Sequence, residues 1–401
     1  MPEVRVEAAA PSVAPRVLVA LVVGQLGLHS AMAGLRLAAP LQALREGYDA
    51  WSVGLLLALF AAAPVLLALY TGRLADRHGY HLPVRAAAVM TTVGMVCAVA
   101  STTFTGWPHF ALLCVAATLT GTGTNMAMLT IQRTAGVAAR DSTERVRLFS
   151  WLGVAPSFAN VIGPVTVGFV IDAAGFGWAY IVLLLMPLAT LISARYVPRF
   201  AAPQVDASAG EGRRSWDLLA APGMKRLLVV NWLLSMCWDV HSFAVPILGH
   251  ERGFTATTIG LILGSFTLSV SVVRLFIPVL AHRLDEVQVV CSAMVGTALV
   301  FVLYPLASTP WLMVLCAVAL GLTLGSVQPM IMSTLHHLTP DQRHGEALAF
   351  RSMAINASST LMPLAFGALG SVVGAAVLFW MVGGAVGSGA WLARRLGGVR
   401  T

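Results

Sequence analysis

Gly72-Arg-Leu-Ala-Asp-Arg-His-Gly79 is a short polar segment between two long apolar stretches. The stretches on either side, near residues 51–72 and 83–104, each supply the roughly 20 apolar residues that a helix needs to cross a bilayer. Because unpaired backbone groups are costly in lipid, both stretches are expected to be helices. The octapeptide is therefore predicted to be a loop at one side of a membrane, joining two spanning helices.

Similar apolar runs recur along the whole chain. Of its 401 residues, 58% are hydrophobic and only 10% are charged, whereas soluble proteins carry about 25% charged residues. This composition excludes a soluble globule, which needs more polar surface. We predict twelve membrane-spanning helices, near residues 16–42, 51–72, 83–104, 107–133, 146–173, 176–196, 225–249, 255–280, 287–307, 310–335, 345–371 and 373–395.

The positions of the basic residues favour one orientation. With the N-terminus inside, the cytoplasmic segments hold twenty of the 25 arginines and lysines, and the outer loops hold only Arg45 and Arg252. Basic residues concentrate on the cytoplasmic side of membrane proteins, so the net charge of +8 is a topology signal and not a nucleic-acid surface. We predict cytoplasmic termini and, from the compact loops and Arg-rich, Lys-poor composition, a bacterial cytoplasmic (inner) membrane.

The longest polar stretch divides the predicted spans into six and six. It is rich in proline and glycine, which is typical of a linker. We predict a cytoplasmic N-terminal tail, a first six-helix lobe, a cytoplasmic linker, a second six-helix lobe and a cytoplasmic C-terminal tail, at residues 1–15, 16–196, 197–224, 225–395 and 396–401.

The two halves repeat each other weakly. At a shift of 206 residues, Gly54 matches Gly260, and Ala75-Asp76-Arg77 aligns with Ala281-His282-Arg283. At a shift of 199 residues, Pro164 matches Pro363. Two homologous lobes with a binding site between them near the midplane are typical of secondary transporters.

The octapeptide resembles the loop between the second and third helices of the major facilitator superfamily, whose pattern is Gly-x-x-x-Asp-Arg-x-Gly. Gly72, Asp76, Arg77 and Gly79 match it. The resemblance implies an all-α membrane protein with twelve transmembrane helices in two pseudo-symmetric six-helix lobes, working by alternating access, usually as a monomer and without a cofactor. It also implies that Asp76 faces the start of the eleventh helix, and that Arg77, with Arg145 or Arg147, completes an ion network that controls conformational switching.

The fifth span contains a second family element, Asn160-Val-Ile-Gly-Pro-Val-Thr-Val-Gly168. It is similar to the Gly-Pro-x-x-Gly-Gly element of the superfamily's drug and metabolite antiporters, with matches at Gly163, Pro164 and Gly168. The resemblance favours export and a role in conformational switching, although a generic helix kink is an alternative. The arginine that such proton-driven antiporters usually carry in the fourth span is replaced by Ala117.

Ionisable groups at membrane depth are costly and usually functional. Asp239 lies near the middle of the seventh span and His241 follows two residues later. Both groups can take up and release protons, so we predict that they form the coupling site; the alternative is a structural ion pair between Asp239 and Arg274. Arg36 and Arg351 lie close enough to span ends to reach an interface instead. The remaining candidates for substrate binding are His29, Asn125 and Trp238.

Cys237 and His241 lie four residues apart on one helix face, with Asp239 between them. These ligand types suit zinc or iron, so a divalent-metal exporter is a further hypothesis. The other cysteines show no metal-site spacing and are expected to be small buried hydrophobes.

The leading functional hypothesis is proton-coupled efflux, by antiport, of a small organic metabolite, siderophore-like compound or drug. Embedded arginines outnumber embedded carboxylates, so uptake or uniport of an organic anion is the alternative, and metal export is the third. A signalling or lipid-handling protein of the same fold stays open. No enzyme is expected, because the sequence shows no catalytic motif. The expected partners are an amphipathic or anionic small molecule, protons and the lipid bilayer, without nucleic acid.

Overall fold

The computed structural model describes residues 15–138, 142–199, 215–280, 285–339 and 344–395. Both predicted tails, most of the predicted linker and the Ala281-His282-Arg283 segment lie outside the described residues. The thirteen α-helices found in those ranges are α1 (Pro15–Arg45), α2 (Ala50–His78), α3 (His81–Ser101), α4 (Trp107–Ala138), α5 (Ser142–Ala174), α6 (Phe176–Ala194), α7 (Met224–Glu251), α8 (Ala256–Leu280), α9 (Glu286–Leu303), α10 (Pro310–Gly325), α11 (Val327–Leu338), α12 (His344–Val373) and α13 (Ala375–Arg394).

The helices account for the predicted spans. Within the described residues, eleven segments are long and apolar enough to cross a membrane, and α10 and α11 together form one of them. That span is interrupted at Ser326, because Pro329 lacks the N–H that would bond to the preceding turn. The helix α12 is not among the eleven but has 30 residues, which is long enough for the remaining predicted crossing.

The octapeptide Gly72–Gly79 is mostly helical, so its prediction as a loop is wrong. The helix α2 continues through His78, and only Gly79 and Tyr80 form the turn to α3. Gly79 ends the helix with a φ of 66°, and its N–H donates to the carbonyl of Ala75 at 2.9 Å. Leucine, alanine and arginine all favour helix, so the polar segment extends α2 beyond its apolar part.

Two groups of helices pack separately. The helices α1–α6 pack against one another, as do α7–α13, and the groups meet chiefly where α5 lies along α8 and α2 lies along α12. Glycines allow this close approach: a Cβ at Gly260 would collide with the carbonyl of Pro164, and one at Gly54 with the carbonyl of Pro363. These contacts lie toward the end of the molecule at which α5 ends and α8 begins. We call this the Asp172 end, and we call the opposite end, at which α2 finishes, the Arg77 end.

The Asp172 carboxylate links the two groups of helices at the Asp172 end. Asp172, in the last turn of α5, accepts hydrogen bonds from the backbone N–H groups of Ala256 (3.0 Å) and Thr257 (2.6 Å). These are the first two residues of α8, whose free N–H groups need acceptors. The Nη2 atom of Arg45 lies 3.9 Å from the same carboxylate. Asp172 therefore caps a helix that belongs to the other group.

Candidate functional site

A cavity of about 440 Å³ lies between the two groups of helices. Its walls come from α1, α5, α7, α8, α10, α11 and α12. This volume falls within the range of about 300–1,000 Å³ that is typical of small-molecule sites. Six residues that the sequence singles out line it together: His29, Arg36, Trp238, Asp239, Arg274 and Arg351.

Asp239 is the one acidic residue among the described residues that line this cavity. One carboxylate oxygen accepts a hydrogen bond from the Ser358 hydroxyl at 2.6 Å and the other from the Ser359 hydroxyl at 3.2 Å, both on α12. The residue is only 6% exposed, and its charge interacts with that of Arg36 on α1. Three helices from both groups therefore meet around one carboxyl group.

Arg274 does not pair with Asp239, so the predicted structural alternative is absent from the described site. Its Nη2 atom donates to Oε1 of Gln328 at 2.8 Å. Its guanidinium carbon lies 6.0 Å from the ring centroid of Trp238, at the outer limit of a cation–π contact. Gln328 stands at the break between α10 and α11, next to Pro329, which places its side chain within reach of α8.

His241 is separated from Asp239 by the geometry of a regular helix. Because α7 is continuous, residues two apart point in different directions. The Nε2 atom of His241 lies 3.0 Å from the hydroxyl of Tyr304, and its ring centroid lies 4.4 Å from that of Phe266. It borders a side cavity of about 110 Å³, which shares Arg36, Trp238 and Ser242 with the cavity around Asp239. His241 is not among the described residues that line the cavity around Asp239, so the two members of the predicted coupling site are not brought together.

The predicted metal ligands do not converge. Cys237 is fully buried, and its Sγ atom lies 3.3 Å from the carbonyl oxygen of Leu233 in the preceding turn. Across the described ranges, no group of three His, Cys, Asp or Glu side chains is placed to hold a metal ion. The metal-exporter hypothesis therefore has no geometric support here.

The remaining candidates divide between the cavity and other places. Arg36 and Arg351 face the cavity, so the interface alternative does not describe them. Asn125 on α4 is not among the residues that line it. Of the predicted switch network, Arg77 is exposed, while the surroundings of Gly72 and the side chains of Asp76 and Arg145 lie outside the described part.

The Gly-Pro element of α5 forms a thin helix face. A Cβ at Gly163 would stand 2.6 Å from the carbonyl oxygen of Ser30 on α1, and one at Gly168 would collide with the carbonyl of Ala256 on α8. The element therefore lies between helices of both groups. Small residues of this kind let membrane helices approach closely.

The sequence of the chain matches the model of the Major Facilitator Superfamily over residues 21–222 and 227–399. The chain belongs to the major facilitator superfamily. It is a multi-pass membrane transporter and not an enzyme, and the resemblance first seen in the octapeptide is confirmed. Among curated proteins, none matches this superfamily member in sequence.

Solved structures show the same fold at low sequence identity. The nucleoside transporter NupG is 14% identical, with a TM-score of 0.73 over 95% of this chain and 99% of that chain. A peptide transporter POT is 14% identical, with a TM-score of 0.76 over 97% and 96% of the two chains. A POT family transporter in complex with 5-aminolevulinic acid is 14% identical, with a TM-score of 0.75 over 94% and 95%. Identity this low supports a shared fold and not a shared substrate.

Proposed function

We propose that this superfamily member is a secondary transporter that moves a small organic solute through the central cavity, coupled to protons at Asp239. The observation that carries the proposal is the position of that carboxyl group, between two α12 serines and the charge of Arg36. Ionised Asp239 attracts Arg36 and accepts hydrogen bonds from both serine hydroxyls, whereas protonated Asp239 loses the attraction to Arg36. Proton binding would therefore change the contact between the two groups of helices, which is what coupling requires.

Export in exchange for protons is the first candidate for the direction. It is supported by the similarity of the α5 Gly-Pro element to that of drug and metabolite antiporters. The close packing of Gly163 on α1 and of Gly168 on α8 also suits a helix that slides during the transport cycle.

Uptake or uniport of an organic anion is the second candidate. The observation that favours it is the presence of Arg36, Arg274 and Arg351 in the cavity wall, against one carboxylate among the described lining residues. Arginine binds carboxylate and phosphate groups through paired hydrogen bonds.

The proposed location is a bacterial cytoplasmic membrane, with the Arg77 end inside. The exposed arginines of that end include Arg73, Arg77, Arg85, Arg195 and Arg199. At the Asp172 end, Arg45 lies beside Asp172, and Arg252 donates to the carbonyls of Ala307 (2.5 Å) and Pro305 (2.6 Å). The two arginines of the outer end are therefore held by internal partners. A reporter fused to the C-terminus that is active only in the cytoplasm tests this orientation.

The function is tested by mass spectrometry of cells and medium. Cells would express the intact protein, the Asp239→Asn variant, the Asp49→Asn control or nothing. Asp49 caps its own helix α2, away from the cavity. We expect one solute to be redistributed by the intact protein and by the Asp49 variant, and this to stop with Asp239→Asn or with a protonophore. Concentrative transport that survives Asp239→Asn would refute coupling at this residue. Enrichment in the medium supports export, and enrichment in the cells supports uptake.

A further inference from the structure

The charges around the cavity form two separate sets. Asp239 and Arg36 interact with each other where α1, α7 and α12 meet. Arg274 on α8 and Arg351 on α12 form the second set, and their charges act on each other. The first set contains a carboxylate and a cation, whereas the second contains two cations.

The second set has no internal counter-charge in the part of the chain that the structure describes. Arg274 donates a hydrogen bond to the neutral amide of Gln328. Arg351 forms no hydrogen bond or ion pair with any described residue. The Nε atoms of both arginines are buried and have no hydrogen-bond partner among the described atoms.

Such an arrangement is unfavourable when the cavity is empty. Like charges repel more strongly where water is scarce, and a buried donor without an acceptor costs free energy. One oxyanion between the two guanidinium groups would remove both penalties, because each group presents a planar pair of donors that fits two oxygens.

We propose that Arg274, Arg351 and Gln328 form an oxyanion subsite that holds the carboxylate or phosphate group of the transported solute. Trp238 lines the same cavity next to Arg274, and its ring packs edge-on against Phe266 with centroids 4.6 Å apart. Its fixed position makes it the wall for an apolar part of the solute. This inference rests on the proposed function in taking the cavity as the transport site, and it narrows the substrate to organic anions.

Arg36 has a different role in this arrangement. Its charge is offset by Asp239, and its guanidinium carbon lies 5.9 Å from the ring centroid of Phe60. It therefore belongs to the first set, with Asp239, and its replacement should alter proton coupling more than anion binding.

The test is anion binding by the purified full-length protein, which needs neither transport nor a known substrate. Unfolding temperature is measured while inorganic phosphate or benzoate replaces chloride at constant ionic strength. The variants are Arg274→Gln, Arg351→Gln and Gln328→Glu, with Arg195→Gln as the matched control because Arg195 is an exposed arginine outside the cavity. Phosphate stabilises many proteins without a specific site, so the difference between the subsite variants and the control is the informative quantity.

We expect phosphate, benzoate or both to stabilise the wild-type protein and the Arg195 variant in a saturable manner. Each arginine variant should weaken the apparent affinity by about ten-fold or more, which is the usual effect of losing a hydrogen bond to a charged group. Gln328→Glu keeps both arginines but supplies an internal carboxylate, so it should also weaken anion binding while raising the unfolding temperature of the free protein.

If the wild-type protein has the same unfolding temperature in phosphate, benzoate and chloride, the proposed subsite is refuted. Saturable stabilisation that persists in Arg274→Gln and Arg351→Gln would overturn it as well. Because Asp239→Asn leaves both arginines in place, that variant should still bind the anion. The two proposals are therefore tested separately: concentrative transport that survives Asp239→Asn refutes the proposed function, and anion binding that survives Arg274→Gln and Arg351→Gln refutes this inference.

Discussion

Removal of the Asp172 carboxylate should shift the conformational equilibrium of the transporter. In the present structure this side chain bridges α5 and α8 by accepting two backbone N–H groups at 3.0 and 2.6 Å. Alternating access requires the two groups of helices to separate at one end when they close at the other. The bridge can exist only while the Asp172 end is closed, so Asp172→Ala should favour the opposite state.

The magnitude follows from the nature of the contact. A helix cap contributes about 0.5–2 kcal/mol and a hydrogen bond to a charged group about 1.5–3 kcal/mol. The Asp172 side chain is 27% exposed, so water replaces part of what is lost and the lower part of the range applies. The 3.9 Å approach of Arg45 adds little, because exposed ion pairs contribute about 0–1 kcal/mol. We expect a shift of about 1 kcal/mol, or roughly five-fold in the ratio of the two states.

Electron–electron double resonance can measure this ratio. Spin labels at Ala174 and Glu251, which are exposed at the Asp172 end in different groups of helices, would report the separation of that end in a background without the native cysteines. Asp172→Ala should increase the population at long distance about five-fold, and Asp172→Asn should have a smaller effect because an amide oxygen can still accept one bond.

Asp49→Ala is the matched control for this experiment. Asp49 lies at the same end and accepts from the backbone N–H of Ser52 at 3.0 Å, but this cap lies within its own helix. It should leave the distance distribution unchanged. An unchanged distribution in Asp172→Ala, or an equal shift in Asp49→Ala, would refute the reasoning.

Three further predictions concern packing and the role of buried groups. Gly260→Leu should open the α5–α8 contact and lower the transport rate, because even a Cβ at this position collides with the facing carbonyl of Pro164. Gly384→Leu is the control and should transport normally, because its added Cβ has no neighbour within 4 Å. Arg252→Ala should lower the unfolding temperature by an amount that matches a loss of about 1–3 kcal/mol, because two backbone carbonyls lose their donor; an unchanged melting curve would contradict it. His241→Phe should lose the bond to Tyr304 and some stability but keep proton-coupled transport, and abolished coupling in a folded variant would show that His241 carries protons.

The spans are predictable from sequence because one physical length governs them. The hydrocarbon thickness sets how many apolar residues each helix needs, whatever the protein carries. The octapeptide shows the limit of that rule. A helix end depends on a turn residue such as Gly79, with its φ of 66°, and not on where polar residues begin.

The candidate site is predictable only in part. Asp239 stands out in sequence because a carboxylate is rare in an apolar run. Its partners Ser358 and Ser359 lie on a helix that is distant in sequence, and serine in a helix commonly bonds to its own preceding turn. The one sequence signal for their contact with Asp239 is the presence of consecutive hydroxyl residues in an apolar span. Asp172 escapes notice because an acidic residue at the end of a span is expected to face water, and its contact with α8 depends on how the two groups of helices pack.

The two sets of cavity charges also decide the sign of coupling. If the solute anion binds between Arg274 and Arg351, protonation of Asp239 removes the one negative charge of the described cavity wall and leaves Arg36 uncompensated. The cavity becomes more positive, so proton binding strengthens anion binding, and linkage makes the effect reciprocal. Proton and anion then favour the same loaded state, which supports co-transport and uptake.

Antiport needs the opposite sign. In an exporter that exchanges its solute for protons, the two must compete, so the solute would have to bind near ionised Asp239 and be displaced when that group is protonated. The anion affinity of the purified protein, measured against pH for the wild type and for Asp239→Asn, separates these cases. Affinity that rises on acidification, and loses this dependence in Asp239→Asn, supports co-transport of an organic anion. Affinity that falls on acidification in the wild type alone supports export, because only competition between solute and proton at Asp239 produces that sign.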